Sequence, residues 1–342
     1  MIKELNILRV VFMLMIFLNH SAFLANGGYL GVACFFVLGG YCSTIGYYDK
    51  VLEPGFNYGR YALSKVFKFF PLHWLCAVAW LAIALASSQP IGGVLQALSN
   101  LSLVQSWVPD SRFYFSLNGV SWYLSDTLFF ALIFPFLTKY IVDKSLGKNA
   151  LFVILVLAWY VTACILTPQE QRHAILYISP AIRFVDFLLG VYLAKGFMFI
   201  RPKLRKSALV TAMCYVVSAL CIVALLIERG LLPDYVQFAW IFWPLISVLI
   251  FSVSIAAVCR PCEYKLVNYL SYVGSYCFTF YMIHQMTIQV CNSVAHKLHS
   301  EYHFLVMIVT LAICGVLSFF CQKLFVSPVS KHLNKKLSSS SK

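Results

Sequence analysis

Charge is what this chain has least of. Only 11% of its 342 residues are Asp, Glu, Lys or Arg, with 12 acidic residues in all, against 61% hydrophobic residues and a mean hydropathy of +0.82. That balance excludes an ordinary soluble domain and points to a polytopic membrane protein. A disulfide framework is missing too: the 12 cysteines are scattered singly, as at Cys34, Cys76, Cys164, Cys214 and Cys314, and read as packing residues. Cys259 and Cys262 form a C-x-x-C with no second ligand pair, so no metal site is expected. No internal repeat is evident, which disfavours the repeat-built transporters. The net charge of +14 would suit nucleic acid, but its distribution assigns it to membrane topology instead.

Apolar runs long enough to cross a bilayer fall at 5–25, 28–48, 66–88, 120–141, 149–167, 176–199, 207–228, 234–258, 267–296 and 303–327. The expectation is an all-α protein of about ten transmembrane helices, with one membrane domain over 1–329 and a short, polar, disordered cytoplasmic tail over 330–342. The stretch 91–107 is only moderately apolar and reads as an interfacial or re-entrant piece. Alternating the loops puts 21 of the 26 basic residues on one side, leaving Arg112, Arg172, Arg183, Arg229 and Lys297 on the other. The positive-inside rule then places both termini in the cytoplasm. Arg9 and His20 interrupt the first apolar run, so it reads as a retained helix and not as a cleaved signal peptide.

Those two residues stand eleven apart. On a helix that is about 16 Å of rise and within roughly 20° of three full turns, so both side chains share a face. Intramembrane ionisable groups are functional by default, which makes the pair the core of a candidate active site. The span directions place Trp122, Tyr123, Ser125, Asp126, Arg183, Asp186 and His284 in the same outer stratum as His20, itself expected about 8 Å below the outer boundary. Blander roles exist for several of them. Arg183 and Asp186, spaced i, i+3, suit a neutralising clamp, Asp126 a helix cap, and His284 a hydrogen-bonded core histidine. A second cluster, Arg9, Lys65 and Lys68 with Lys50 and Arg60 nearby, suits either snorkelling or the phosphates of a cytoplasmic ligand. One ligand with an anionic head and a long thin arm would connect the two clusters.

Several strings resemble the membrane-bound acyltransferase type 3 family. Arg9 and His20 match its Arg, ten residues, His signature, and GVACFFVLGGY (31–41) is similar to its glycine-bounded second-helix motif, with Gly39 where serine is usual. SKVFKFFPLHWL (64–75) resembles its basic-x-x-basic stretch, with lysines at 65 and 68 in place of arginines and His73 in place of tyrosine. NGVSWYLSDTLFFALIFPFL (118–137), RFVDFLLG (183–190) and SYCFTFYMIHQ (275–285) resemble later motifs, although Thr127 stands where many members carry glutamate. The resemblance covers essentially the whole chain, in the stand-alone form without an esterase-type domain.

What the resemblance implies is an acyltransferase of the bacterial inner membrane. It would move an acyl group, acetyl first among candidates, from cytoplasmic acyl-coenzyme A to a hydroxyl of a surface glycan or glycolipid. Arg9, Lys65 and Lys68 would hold the coenzyme A phosphates, with no tightly bound cofactor. His20 would act as general base with Asp126 orienting it, or would itself carry the acyl group. Trp122, Tyr123, Ser125, Arg183, Asp186 and His284 would bind substrate or steady the oxyanion. The alternative class is a proton-coupled transporter or exporter, since helices with intramembrane His, Asp and Arg also describe a carrier.

Overall fold

The computed structural model describes residues 2–23, 27–227, 239–260, 264–299 and 301–339, and these are helical with no strand among them. In chain order the helices are α1 (Glu4–His20), α2 (Gly27–Leu52), α3 (Tyr58–Ala86), α4 (Val94–Leu101), α5 (Ser111–Tyr114), α6 (Trp122–Leu137) and α7 (Leu146–Leu166). They continue with α8 (Pro180–Ile200), α9 (Ala208–Ile227), α10 (Trp243–Cys259), α11 (Lys265–Gly274), α12 (Cys277–Lys297), α13 (His303–Cys321) and α14 (Ser327–Ser339). Among the described residues seven helices are long and apolar enough to cross a membrane, or eight when the pair Gln169–Ile178 and Pro180–Lys203, bent by 44°, counts as one span. Among the described residues helix lies in each expected segment, but it stops at His20 in the first and is broken between Gly274 and Cys277 in the ninth. The smaller count has a local reason at α1, which is only 17 residues long, and at α12, which carries Thr279, His284, Gln285, Gln289 and Asn292.

The described chain divides into two compact units. The first comprises residues 1–56 and 129–275. Its centre is the pair α2 and α8, which run parallel: Tyr29 meets Tyr177, Phe36 meets Arg183, and Tyr48 meets Lys195. Glycine sets their approach, since a Cβ on Gly40 would strike the carbonyl of Phe187 and one on Gly190 the carbonyl of Val37. Bare Cα atoms at such crossings let helix backbones touch, which is how membrane helices gain packing energy without a hydrophobic drive. α1 lies antiparallel to α2, with Asn19 against Gly28, Ile16 against Gly31 and Arg9 against Cys42. α10 joins through Trp243 to Asp186 and through Ser254 to Tyr41. Phe12, Val37, Tyr41, Phe197 and Ile250 form the buried core between these helices.

The consequence is a polarised unit. The C-terminus of α1 and the N-termini of α2, α8 and α10 share one end, where His20, Tyr29, Arg183 and Trp243 lie. Basic residues gather towards the other, where Lys195 donates to Tyr48 Oη and to the Val142 carbonyl at 2.6 Å each, and Tyr48 donates to Asp143. α11 closes that end through Ser271, whose Oγ accepts from Asn6.

The second unit comprises residues 57–128 and 276–342, of which 57–128, 276–299 and 301–339 are described. Here the stretch expected as interfacial or re-entrant forms α4, an eight-residue helix of about 12 Å, too short to span. It is built inside out: Val94, Leu95 and Leu98 are exposed and Asn100 is fully buried. The tail expected to be disordered instead continues as α14 to Ser339, packed along α3, where Arg60 donates to the Leu337 carbonyl. Its apolar positions Val329, Leu333 and Leu337 recur at about one turn, a pattern the serine and lysine content masks.

Candidate functional site

Arg9 and His20 are both on α1, as the spacing requires. Arg9 is half-buried and already engaged, its Nη1 donating to Asn6 Oδ1 at 2.9 Å and its Nη2 to Cys42 Sγ at 3.7 Å. His20 is the last residue of α1 and is exposed. The expected position five residues inside a helix running to 25 is therefore corrected: Ser21 is the C-cap and Ala22 turns the chain at φ +61°. The polar run Asn19, His20, Ser21 favours such an end, because these side chains compete with the helix for backbone groups.

Arg183 and Asp186 pair as their spacing predicts, with Nη2 2.9 Å from Oδ2 and both side chains buried. Asp186 Oδ1 also accepts from Trp243 Nε1 at 2.7 Å, so the carboxylate ties α8 to α10. The guanidinium lies over the rings of Phe36 and Tyr177, at 5.1 and 5.5 Å.

In the second unit, Lys65 and Lys68 are not at a helix end. Asn57 caps α3 by accepting from the Arg60 N–H, which starts the helix at Tyr58, eight residues before the expected boundary. Lys65 Nζ lies 4.5 Å from the Tyr61 ring and Lys68 Nζ 5.2 Å from that of Phe69. His73, two turns and about 12 Å beyond Lys65, marks the start of a buried polar network.

That network is the main feature the sequence did not reveal. His73 Nε2 donates to the Asn100 carbonyl at 2.9 Å, and Asn100 Nδ2 donates to the Ser116 carbonyl at 2.6 Å and to Ser121 Oγ at 3.0 Å. Gln105 reaches the same Ser121 hydroxyl at 3.1 Å. Ser106 donates to Ser125, which donates to the Leu103 carbonyl at 2.6 Å. His73, Asn100, Gln105 and Ser121 are fully buried. Leu103 and Leu117 sit at φ +57° and +51°, a left-handed conformation costing a leucine on the order of 1–3 kcal/mol. Side-chain bonds to the loop, each worth about 1 kcal/mol net, offset that strain. At the loop's surface, Asp110 caps α5, and the Arg112 guanidinium hydrogen-bonded to it holds its carboxyl below the usual range.

The network delivers the start of α6. Trp122, Ser125 and Asp126 are buried there, and Tyr123 is half-buried with its ring 4.9 Å from Tyr281. Tyr281 donates to the Val120 carbonyl, and Asn118 to that of Met282, which stitches α6 to α12. His284 is fully buried, its Nδ1 donating to the Tyr281 carbonyl at 2.6 Å. A proton on Nδ1 makes Nε2 the basic nitrogen of the neutral ring. Tyr123 and His284 are thus brought together around Tyr281, which lies in the 275–285 string that resembles a family motif.

Among the described residues no group of His, Cys, Asp or Glu is arranged to hold a metal ion, and the eleven described cysteines are free. Cys262 of the C-x-x-C, Arg229 and Lys342 lie outside the described residues. Several apolar helices long enough to span a bilayer, in a chain that also buries histidine, carboxylate and guanidinium side chains, point to a multi-pass membrane protein. Residues 2–321 match the family model for the acyltransferase domain of the acyltransferase 3 type, and the chain belongs to that family of acyltransferases. Comparison with curated proteins and with solved structures finds no match.

Proposed function

We propose that this membrane acyltransferase transfers an acyl group, acetyl first among candidates, from cytoplasmic acyl-coenzyme A to a hydroxyl of an extracytoplasmic glycan or glycolipid. The single observation that carries the reading is the family match over residues 2–321, in a chain whose Arg9 and His20 share one helix. Ten spans with both termini in the cytoplasm of a bacterial inner membrane complete the proposal. The clustering of basic residues at one end of the first unit supports that orientation.

His20 is the general base. As the acceptor oxygen attacks the thioester carbon, its proton passes to the imidazole, and the thiolate of coenzyme A leaves and is then protonated. An exposed ring at a helix end suits a base that must meet a substrate. Asp126 supplies the carboxylate that favours the imidazolium, and Arg9, Lys65 and Lys68 hold the donor phosphates. Trp122, Tyr123, Ser125 and His284 serve the acceptor and the oxyanion, Ser125 through the loop it anchors.

The test is donor dependence. The full chain in detergent is expected to melt at a higher temperature in saturating acetyl-coenzyme A, by a shift that grows with concentration, and to be unaffected by acetate. Absence of any shift with acetyl-, succinyl- or longer acyl-coenzyme A would sink the reading.

A further inference from the structure

The first unit holds a polar centre whose donors outnumber its acceptors. Arg183 is only 4% exposed. Its Nη2 pairs with Asp186, yet neither that nitrogen nor Nε has a hydrogen-bond acceptor in line among the described residues. Asp186 has Trp243 as a second partner. A pure clamp would turn the guanidinium fork fully onto the carboxylate, because a buried donor left unmade is costly.

The surroundings are aromatic on several sides. Beyond Phe36 and Tyr177, which flank the guanidinium, the Tyr177 ring lies 4.3 Å from Tyr29 and 5.2 Å from His173, both half-buried. His173–Ile178 is a π-helix that gives way to extended Ser179 before α8 begins. Such π segments are rare and recur at functional sites. Arg183 and Asp186 cancel each other's charge, so an anionic ligand would leave a net charge buried, whereas a neutral oxygen would satisfy the donors at no such cost.

We propose that Arg183 and the Tyr29, His173 and Tyr177 rings form a seat for a neutral, hydroxyl-bearing ring of the pyranose class. A ring or hydroxyl oxygen accepts from Nε or Nη2 of Arg183, and a C–H face of the sugar lies on the aromatic rings. Asn19, which precedes His20, touches Gly28, which precedes Tyr29, so the seat and the end of α1 share one end of the unit. The seat deepens the glycan-acceptor reading and rests on it for its place in the reaction.

Saturation-transfer NMR tests it, using the full chain in a sugar-free detergent and the methyl glycosides of glucose, galactose and mannose, with methyl glucuronide as the charged control. At least one neutral glycoside is expected to bind saturably, and the glucuronide at least fivefold more weakly. Tyr29→Ala, and separately the double variant Arg183→Leu with Asp186→Leu, are expected to weaken that binding at least tenfold. The double variant removes both charges together and so leaves no unpaired ion behind, and Tyr29→Ala decides the matter should it fail to fold. The seat is overturned if none of the three neutral glycosides binds, or if Tyr29→Ala binds as tightly as the unaltered chain. Loss of acetyl-coenzyme A stabilisation in the unaltered chain, with glycoside binding intact, would instead remove the acyltransferase reading and leave the seat standing.

Discussion

Gly190 presses its bare Cα against the carbonyl of Val37, one crossing in an α2–α8 contact that Gly40 repeats against Phe187. Such close approach holds the two helices together in the same contact that sets Arg183 against Phe36.

Gly190→Ala is therefore expected to destabilise the chain, since its Cβ meets backbone and not a side chain that can swing away. Overpacking of this kind costs on the order of 1–3 kcal/mol or more. Gly39→Ser is the control, because nothing lies within 4 Å of a Cβ there. Size-exclusion profiles and melting temperatures in detergent should separate the two, and equal behaviour would refute the packing account.

His20→Ala is expected to lower acyl transfer by on the order of 10²–10⁴-fold, the usual contribution of a general base. Its melting temperature should stay near that of the unaltered chain, because the ring is exposed at a helix end. Retained turnover at unaltered stability would remove His20 from the mechanism.

Lys65→Ala with Lys68→Ala is expected to raise the donor KM about tenfold or more with kcat little changed, since charge-assisted bonds to phosphate contribute about 1.5–3 kcal/mol each. The effect should shrink as salt rises in the unaltered chain. A donor KM that does not move leaves snorkelling as their role.

Asn100→Ala is expected to destabilise the second unit by about 1–3 kcal/mol, since it strips the buried Ser116 carbonyl of its donor. Asp126→Asn, by contrast, should keep stability and lower kcat, with a changed pH profile of kcat. An unaltered pH profile for Asp126→Asn would make it a structural cap.

The helical architecture and the one-face geometry of Arg9 and His20 were legible because apolar runs and helical spacing are local properties. Helix ends were not. Residues 21–25 looked continuous with α1, yet Asn19 through Ser21 break the ladder, and the Asn57 cap that starts α3 early lies in a stretch that reads as loop. The pair Arg183 and Asp186 could be read from i, i+3 spacing, but not Trp243, 57 residues on, which completes it. Asn100, Gln105 and Ser121 escaped notice because amides and hydroxyls in a half-apolar connection carry no periodic signal. Only the fold shows that they face inward while Val94, Leu95 and Leu98 face out.

The inside-out build of α4 dictates an order of events during synthesis. A helix of about 12 Å cannot lodge in a bilayer by its own hydrophobicity. Its anchor, Asn100, binds Ser116 and Ser121, which leave the ribosome 16 and 21 residues later. α4 thus gains its anchor only once Ser116 and Ser121, just before α6, have been made.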